Sequence, residues 1–180
     1  MVNFKEVDWK VYSSVVGILL LCILALFLHK VFFFLVIVFA TALVGLILRF
    51  LQPLKYLGIE LVTLSTMVVG AVYGPIIGGL YAFTLLLTHL ILGDYYIGTF
   101  LVWIIPEYIL LGVLSGIFGS SLLGPLGVLL IVGLNSMSLF FTLIGETERF
   151  GKEMPYAIGN TIINSILFIQ FFSTIVHFIS

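Results

Sequence analysis

The sequence predicts an all-α fold, a polytopic bundle of integral membrane helices, and three observations carry that reading. Hydrophobic side chains make up 62% of the 180 residues and charged ones only 8%, where a soluble domain is about 25% charged. Mean hydropathy is +1.34. The apolar stretches run for about 15 to 20 residues without polar alternation. Lipid must therefore be the solvent for most of the chain, and in lipid every backbone N–H and C=O needs an internal partner, which leaves helices or a closed barrel. Barrel strands alternate polar and apolar residues. These stretches are apolar all round, so they are helices.

A bilayer crossing takes about 20 apolar residues, and the chain offers seven candidate spans: 11–28, 31–48, 59–74, 76–92, 98–118, 125–144 and 157–179. The first follows Lys5 and Lys10 as a secretory leader would, but no small-x-small cleavage site comes after it and His29-Lys30 leads straight into the next stretch. It reads as a retained N-terminal helix. Taken as one helix, 59–92 would be about 50 Å long, more than a bilayer requires. Gly74-Pro75 lies near its middle. Glycine suits the position just past a helix end and proline the first turn of the next, so a tight hairpin of two short helices is expected, with one kinked, tilted helix as the alternative. Gly124-Pro125, after Gly119-Ser120-Ser121, punctuates the chain in the same way. The stretch 145–155, with Glu146, Glu148, Arg149, Lys152 and Glu153, is expected to be an aqueous loop. Residues 1–180 read as a single membrane domain.

With seven spans, Lys5, Lys10, Arg49, Lys55, Arg149 and Lys152 fall on one side and Lys30 on the other. Because Lys and Arg are retained on the cytoplasmic side, this bias predicts a multi-pass protein of the cell membrane with its N-terminus inside. Several classes are disfavoured. A net charge of −1 gives nucleic acid nothing to hold, and neither the three histidines nor Cys22 stands at metal-ligand spacing. Cys22 is read as a packing or lipid-facing residue. No Walker A or HExxH sequence occurs, and Gly116-Ile117-Phe118-Gly119-Ser120 is not a GxSxG. The chain is read as a non-enzyme without metal or cofactor.

Two patterns remain. Thr66, Gly70, Gly74, Gly78 and Ala82 recur every four residues, Gly112 and Gly116 form a second small pair, and Ala42 and Gly45 mark a third patch. Small residues let helix backbones approach in lipid, either within this bundle or against a partner subunit. Polar residues at membrane depth are the other pattern, each a site hypothesis because burying it is costly. Glu107 lies midway along 98–118. Asn160 and Asn164 share a helix face one turn apart, beside Thr161 and Ser165, and Asn135, Ser136 and Ser138 lie in 125–144. They line a cavity or tie helices together. Glu60 reads as a first-turn carboxylate favoured by the helix dipole, Asp94 as a cap or a ligand contact, and His89 as an interfacial residue.

From Ile59-Glu60-Leu61 to Gly70-Ala71-Val72-Tyr73-Gly74-Pro75-Ile76-Ile77-Gly78-Gly79-Leu80, the chain resembles the S-components of energy-coupling-factor vitamin transporters, the substrate-binding membrane subunits of those systems. The resemblance covers roughly 31–179 and implies six family-like helices after the extra N-terminal one. It implies capture of a vitamin or similar micronutrient, with Glu107, Asn160, Asn164, Trp103, Asp94 and Tyr56 as the candidate binding set and loop 49–58 (Gln52 to Tyr56) as a lid. It further implies docking through small residues, here Ala40, Ala42 and Gly45 together with Gly70, Gly74 and Gly78, onto a transmembrane coupling subunit driven by ATPase subunits. The alternative is a non-transporting membrane subunit or scaffold. The family would place loop 49–58 outside, whereas the charge bias places it inside, and the two expectations conflict.

Overall fold

The computed structural model describes residues 9–27, 29–95 and 98–179. Lys5 and Tyr96 lie outside the described residues, as do the side chains of Lys10, Cys22 and Gln52. Among the described residues every regular element is a helix: α1 (Trp9–Phe27), α2 (His29–Phe50), a one-turn α3 (Gln52–Lys55), α4 (Val62–Tyr73), α5 (Pro75–Leu92), α6 (Leu101–Gly145) and α7 (Thr147–Ile179). The segments Lys30–Phe50, Pro75–Leu92, Leu101–Gly145 and Thr147–Ile179 are long and apolar enough to cross a membrane.

Two glycines turn the chain back on itself. Gly74 adopts φ 91°, a left-handed value that costs a residue without Cβ little, and Pro75 opens the next helix. The reversal is complete: a methyl placed on Gly78 would lie 2.7 Å from the Gly70 Cα, whereas eight residues of straight helix span about 12 Å. Gly119, at φ 61°, does the same inside α6. Trp103 and Phe141, about 57 Å apart along a straight helix, bring their ring centroids to 6.5 Å. α6 is therefore two antiparallel arms, 101–118 and 120–145. The expected hairpin at Gly74-Pro75 is present. The second turn falls at Gly119 rather than at Gly124-Pro125, because the left-handed backbone is what reverses the chain; Pro125 sits inside the second arm.

After α1, and leaving aside the one-turn α3, six helical rods, counting both arms of α6, thus run alternately between two ends. One end holds the Gly74 and Gly119 turns and Lys30, whose carbonyl accepts a hydrogen bond from the Tyr73 hydroxyl. The other holds 51–61, 93–100 and the junction of α6 with α7. α4 is the central rod: every residue from Val62 to Gly70 is buried. Around it pack Ala82 and Leu85 of α5, Leu111, Leu123 and Ile131 of α6, and Phe168 and Phe172 of α7. α1 lies outside this core, with Tyr12, Val15, Ile18 and Leu21 exposed.

The expected aqueous loop at 145–155 is instead the first turns of α7. Arg149 bridges Glu146 at 3.0 Å and Glu153 at 2.7 Å, three and four residues away, a spacing that favours helix.

The small residues pack inward. A methyl on Gly70 or on Gly78 would meet the Gly112 carbonyl at 2.5 Å, and one on Gly116 would strike the Gly74–Pro75 backbone. Gly45 faces His89, and Ala40 and Ala42 are half-buried. Gly45, Gly70 and Gly78 therefore make close contacts within the bundle, and at Gly70 and Gly78 three backbones converge. Gly74 is the turn itself. Substituting Gly78→Val should lower the thermal midpoint in detergent by the equivalent of about 1–3 kcal/mol. Gly133→Ala, where nothing lies within 4 Å, should leave the midpoint unchanged or raise it slightly; equal effects would contradict this packing.

Candidate functional site

A cavity of about 540 Å³ opens at the end of the bundle away from the glycine turns. Two connecting stretches of chain and the ends of four rods build it. Lys55, Tyr56 and Glu60 come from the segment joining α2 to α4, and Leu86, His89 and Leu90 from the end of α5. Asp94 and Tyr95 follow. Phe100 precedes α6, Trp103, Ile104 and Tyr108 come from its first arm, Ser138 and Thr142 from the second, and Arg149, Lys152, Glu153 and Tyr156 from α7.

The segment over 51–61 is held down tightly. Gly58, at φ 67°, lies against the backbone of Tyr156 and Asn160, and Gly159 lies against the Leu57 carbonyl. Glycine on both sides lets loop and helix touch without a Cβ between them. Lys55 straps the same segment to the α5–α6 turn: its buried Nζ donates to the carbonyls of Gly93 at 2.9 Å and Asp94 at 2.5 Å and sits 4.1 Å from the Tyr95 ring centroid. Burial pulls the Lys55 pKa below the usual lysine value, and the nearby Asp94 carboxylate partly offsets it. Asp94 itself has φ 53°, a conformation Asp tolerates better than most side chains.

Beneath the cavity lies a polar hub. Glu60, 1% exposed, accepts from the Thr63 N–H at 3.0 Å, which supplies a partner to an orphan donor at the start of α4. It also accepts from the Thr63 hydroxyl at 2.5 Å, from Asn160 Nδ2 at 3.1 Å and from Asn164 Nδ2 at 3.0 Å. Asn160 donates as well to the Gly58 carbonyl, at 3.2 Å, and accepts from Asn135 at 3.0 Å. Thr63 Oγ1 and the Tyr108 hydroxyl are 3.2 Å apart, which links the hub to the cavity floor. A buried carboxylate with this many donors is well compensated.

The candidate set from the sequence therefore divides. Tyr56, Asp94 and Trp103 share the cavity wall. Asn160 and Asn164 lie below it and are used by Glu60. Glu107 does not join them. It lines a separate, mostly apolar cavity of about 350 Å³ with Val102, Trp103, Pro106, Leu110, Met137 and Phe141, and neither of its oxygens has a hydrogen-bond partner. Its helix turns it away from α7. The lining residues that sequence reasoning left out of the binding set include Lys55, Glu60, His89, Tyr108, Arg149 and Tyr156. Lys55, Gly58 and Glu60 were a usable signal, since two opposite charges flanking a glycine in a short loop between apolar spans invite burial.

None of the family models, curated proteins or solved structures compared with the chain matches it. Among the described residues no group of three or more His, Cys, Asp or Glu is placed to hold a metal ion.

The hub makes a differential prediction. Glu60→Gln replaces an acceptor of four donors with an amide that turns its own N–H groups toward them, so the thermal midpoint should fall by the equivalent of about 1–3 kcal/mol. Glu107→Gln, which breaks no hydrogen bond, should not lower it. Melting curves of the two variants in the same detergent decide the point, and the reverse order would overturn this account of the hub.

Proposed function

We propose that this chain is the substrate-binding subunit of a membrane transporter for a small micronutrient, multi-pass in the cell membrane, with its cavity facing outward. The cavity beneath the strapped 51–61 segment carries the reading. A bundle that served only as a scaffold would gain nothing from holding about 540 Å³ open at one end, whereas pockets for small ligands fall within roughly 300–1,000 Å³ and combine apolar walls with a few placed polar groups. The resemblance to S-components supports the same reading: six rods follow α1, a short α4–α5 hairpin turns at Gly74-Pro75, and the segment before α4 covers the cavity. A transmembrane coupling subunit and ATPase subunits are the partners this function would require.

The outward orientation runs against the charge bias, which is weakened but not removed by setting aside two of its six basic residues. Lys55 and Arg149 are engaged by carbonyls and carboxylates of the site itself, so they are poor indicators of a cytoplasmic loop.

Trp9 and Trp103 are the only tryptophans, so a Trp9→Phe variant reports from the cavity wall alone. Its emission should change saturably when the small molecule carried through purification is stripped and added back, and mass spectrometry should find that molecule in the native preparation. A preparation carrying no small molecule, with flat emission, would remove the binding function. In a Cys22→Ser background, Lys152→Cys should react with an impermeant maleimide in intact cells. Reaction only after permeabilisation would place the cavity on the inside.

A further inference from the structure

The two cavities lie on opposite faces of one seam, the line along which the two arms of α6 run side by side. Trp103, Ile104 and Tyr108 of the first arm and Ser138 and Thr142 of the second line the cavity at the end of the bundle. Val102, Pro106 and Leu110, with Met137 and Phe141, line the groove of about 350 Å³ on the other face. Val102, Leu110, Met137 and Phe141 are exposed on the outside of the bundle, where a membrane chain meets lipid. Trp103 alone lines both spaces. Its ring stacks on Phe141 across the seam, with centroids 6.5 Å apart. Gly145 leaves room for its rim, since a methyl there would come within 3.1 Å. Beyond the indole the arms are tied: Thr99 donates to the Glu146 carboxylate, and Arg149 pairs with Glu146 while lying 4.5 Å from the Phe100 ring centroid. The Gly119 turn ties them at the other end. Between those ties, the indole divides groove from cavity.

We propose that the seam is a lateral window of the cavity, with Trp103 as its panel and a lipid acyl chain as the occupant of the groove outside it. Glu107 is the one ionisable group among the described residues lining the groove, and both its oxygens are buried. The groove therefore offers an occupant apolar surface. Its size excludes a partner helix, because a cylinder about 10 Å wide would fill 350 Å³ in less than one turn of about 5.4 Å. A hydrocarbon chain is far thinner. From Val102 to Leu110 the arm rises about 12 Å, within the roughly 15 Å of hydrocarbon that one leaflet contributes, so a chain lying along the groove stays at its own depth. An acyl chain outside and a molecule inside press on opposite faces of the same ring. Turning the Trp103 side chain off Phe141 joins the two spaces, and a molecule dissolved in the leaflet then enters the cavity from the side without passing the 51–61 cover. This route depends on the cavity and not on the identity of what it binds.

The test uses the Trp9→Phe protein in phosphatidylcholine vesicles, where Trp103 is the one remaining tryptophan. Its emission should be quenched from two sides: by acrylamide in water through the cavity, and through the groove by phosphatidylcholine brominated along its acyl chains. Leu110→Phe and Met137→Phe, which fill the groove, should each remove more than half of the bromolipid quenching and leave the acrylamide quenching in place. Leu129→Phe, at a lipid-exposed site elsewhere on the second arm, should change neither. Passage is read separately. In a Cys22→Ser background, Ser138→Cys places a thiol on the cavity wall, and a maleimide on a long alkyl chain is supplied in the vesicle lipid. Trp103→Ala should speed its labelling by at least about tenfold, equivalent to about 1.4 kcal/mol of barrier. Phe141→Ala, which removes the ring that Trp103 stacks on, should act in the same direction, and a charged maleimide that enters by the mouth should show no such gain. Bromolipid quenching that survives both groove substitutions overturns the acyl-chain site. Equal labelling with and without the indole, or failure of acrylamide to reach Trp103, overturns the window.

Discussion

The close approach of α4, α5 and the first arm of α6 at Gly70, Gly78 and Gly112 is the constraint on which the other features rest. In lipid, burying apolar side chains brings no hydrophobic gain, so helices associate through packing and backbone contact. Here the contact is made by residues whose missing Cβ atoms leave no gap: Gly78 and Gly112 each stand where the other's methyl would be. With three rods joined near the turn end, their opposite ends are free to diverge. The cavity occupies that divergent end, roofed by the 51–61 segment.

Charge is handled at this end by partners held in place. Lys55 lies over an aromatic ring and between carbonyls, Arg149 between carboxylates and over Phe100, and Glu60 among amide and hydroxyl donors. Each arrangement offsets a desolvation cost that an isolated ion at this depth would not survive. The same arrangements stiffen the site. The strap, the hub and the close contacts at Gly58 and Gly159 all join the 51–61 segment to elements far along the chain, so the cover and the floor of the cavity are positioned by one network.

Glu60 and Glu107 show where sequence reasoning reached its limit. Both are carboxylates in apolar surroundings, and Glu107 drew more attention because it lies in the middle of a span. Glu60 was read as a first-turn carboxylate, and it does meet the Thr63 N–H at the start of α4. Its second role, gathering Asn160 and Asn164, joins residues 100 and 104 positions apart. The asparagines' shared face was legible from their spacing, but the carboxylate they face was not, because helical periodicity says which residues share a side and nothing about which helix lies opposite.

What the sequence determined by itself is local or compositional: a helical membrane chain, because so little charge cannot solvate so many apolar residues, and a hairpin at Gly74-Pro75, because backbone chemistry at a turn is set by the residues in it. The spacing of its glycines also marked where helices approach. The tertiary structure alone decided that those glycines are used within the bundle, that the second reversal falls at Gly119, and that Arg149 and its partners extend α7 instead of a loop. It alone assembled the cavity from Tyr56, Asp94 and Trp103 while turning Glu107 into a separate one. These outcomes depend on the rotation of each rod against rods distant in sequence, and in a chain apolar on nearly every face no hydrophobic stripe is left to reveal that rotation in advance.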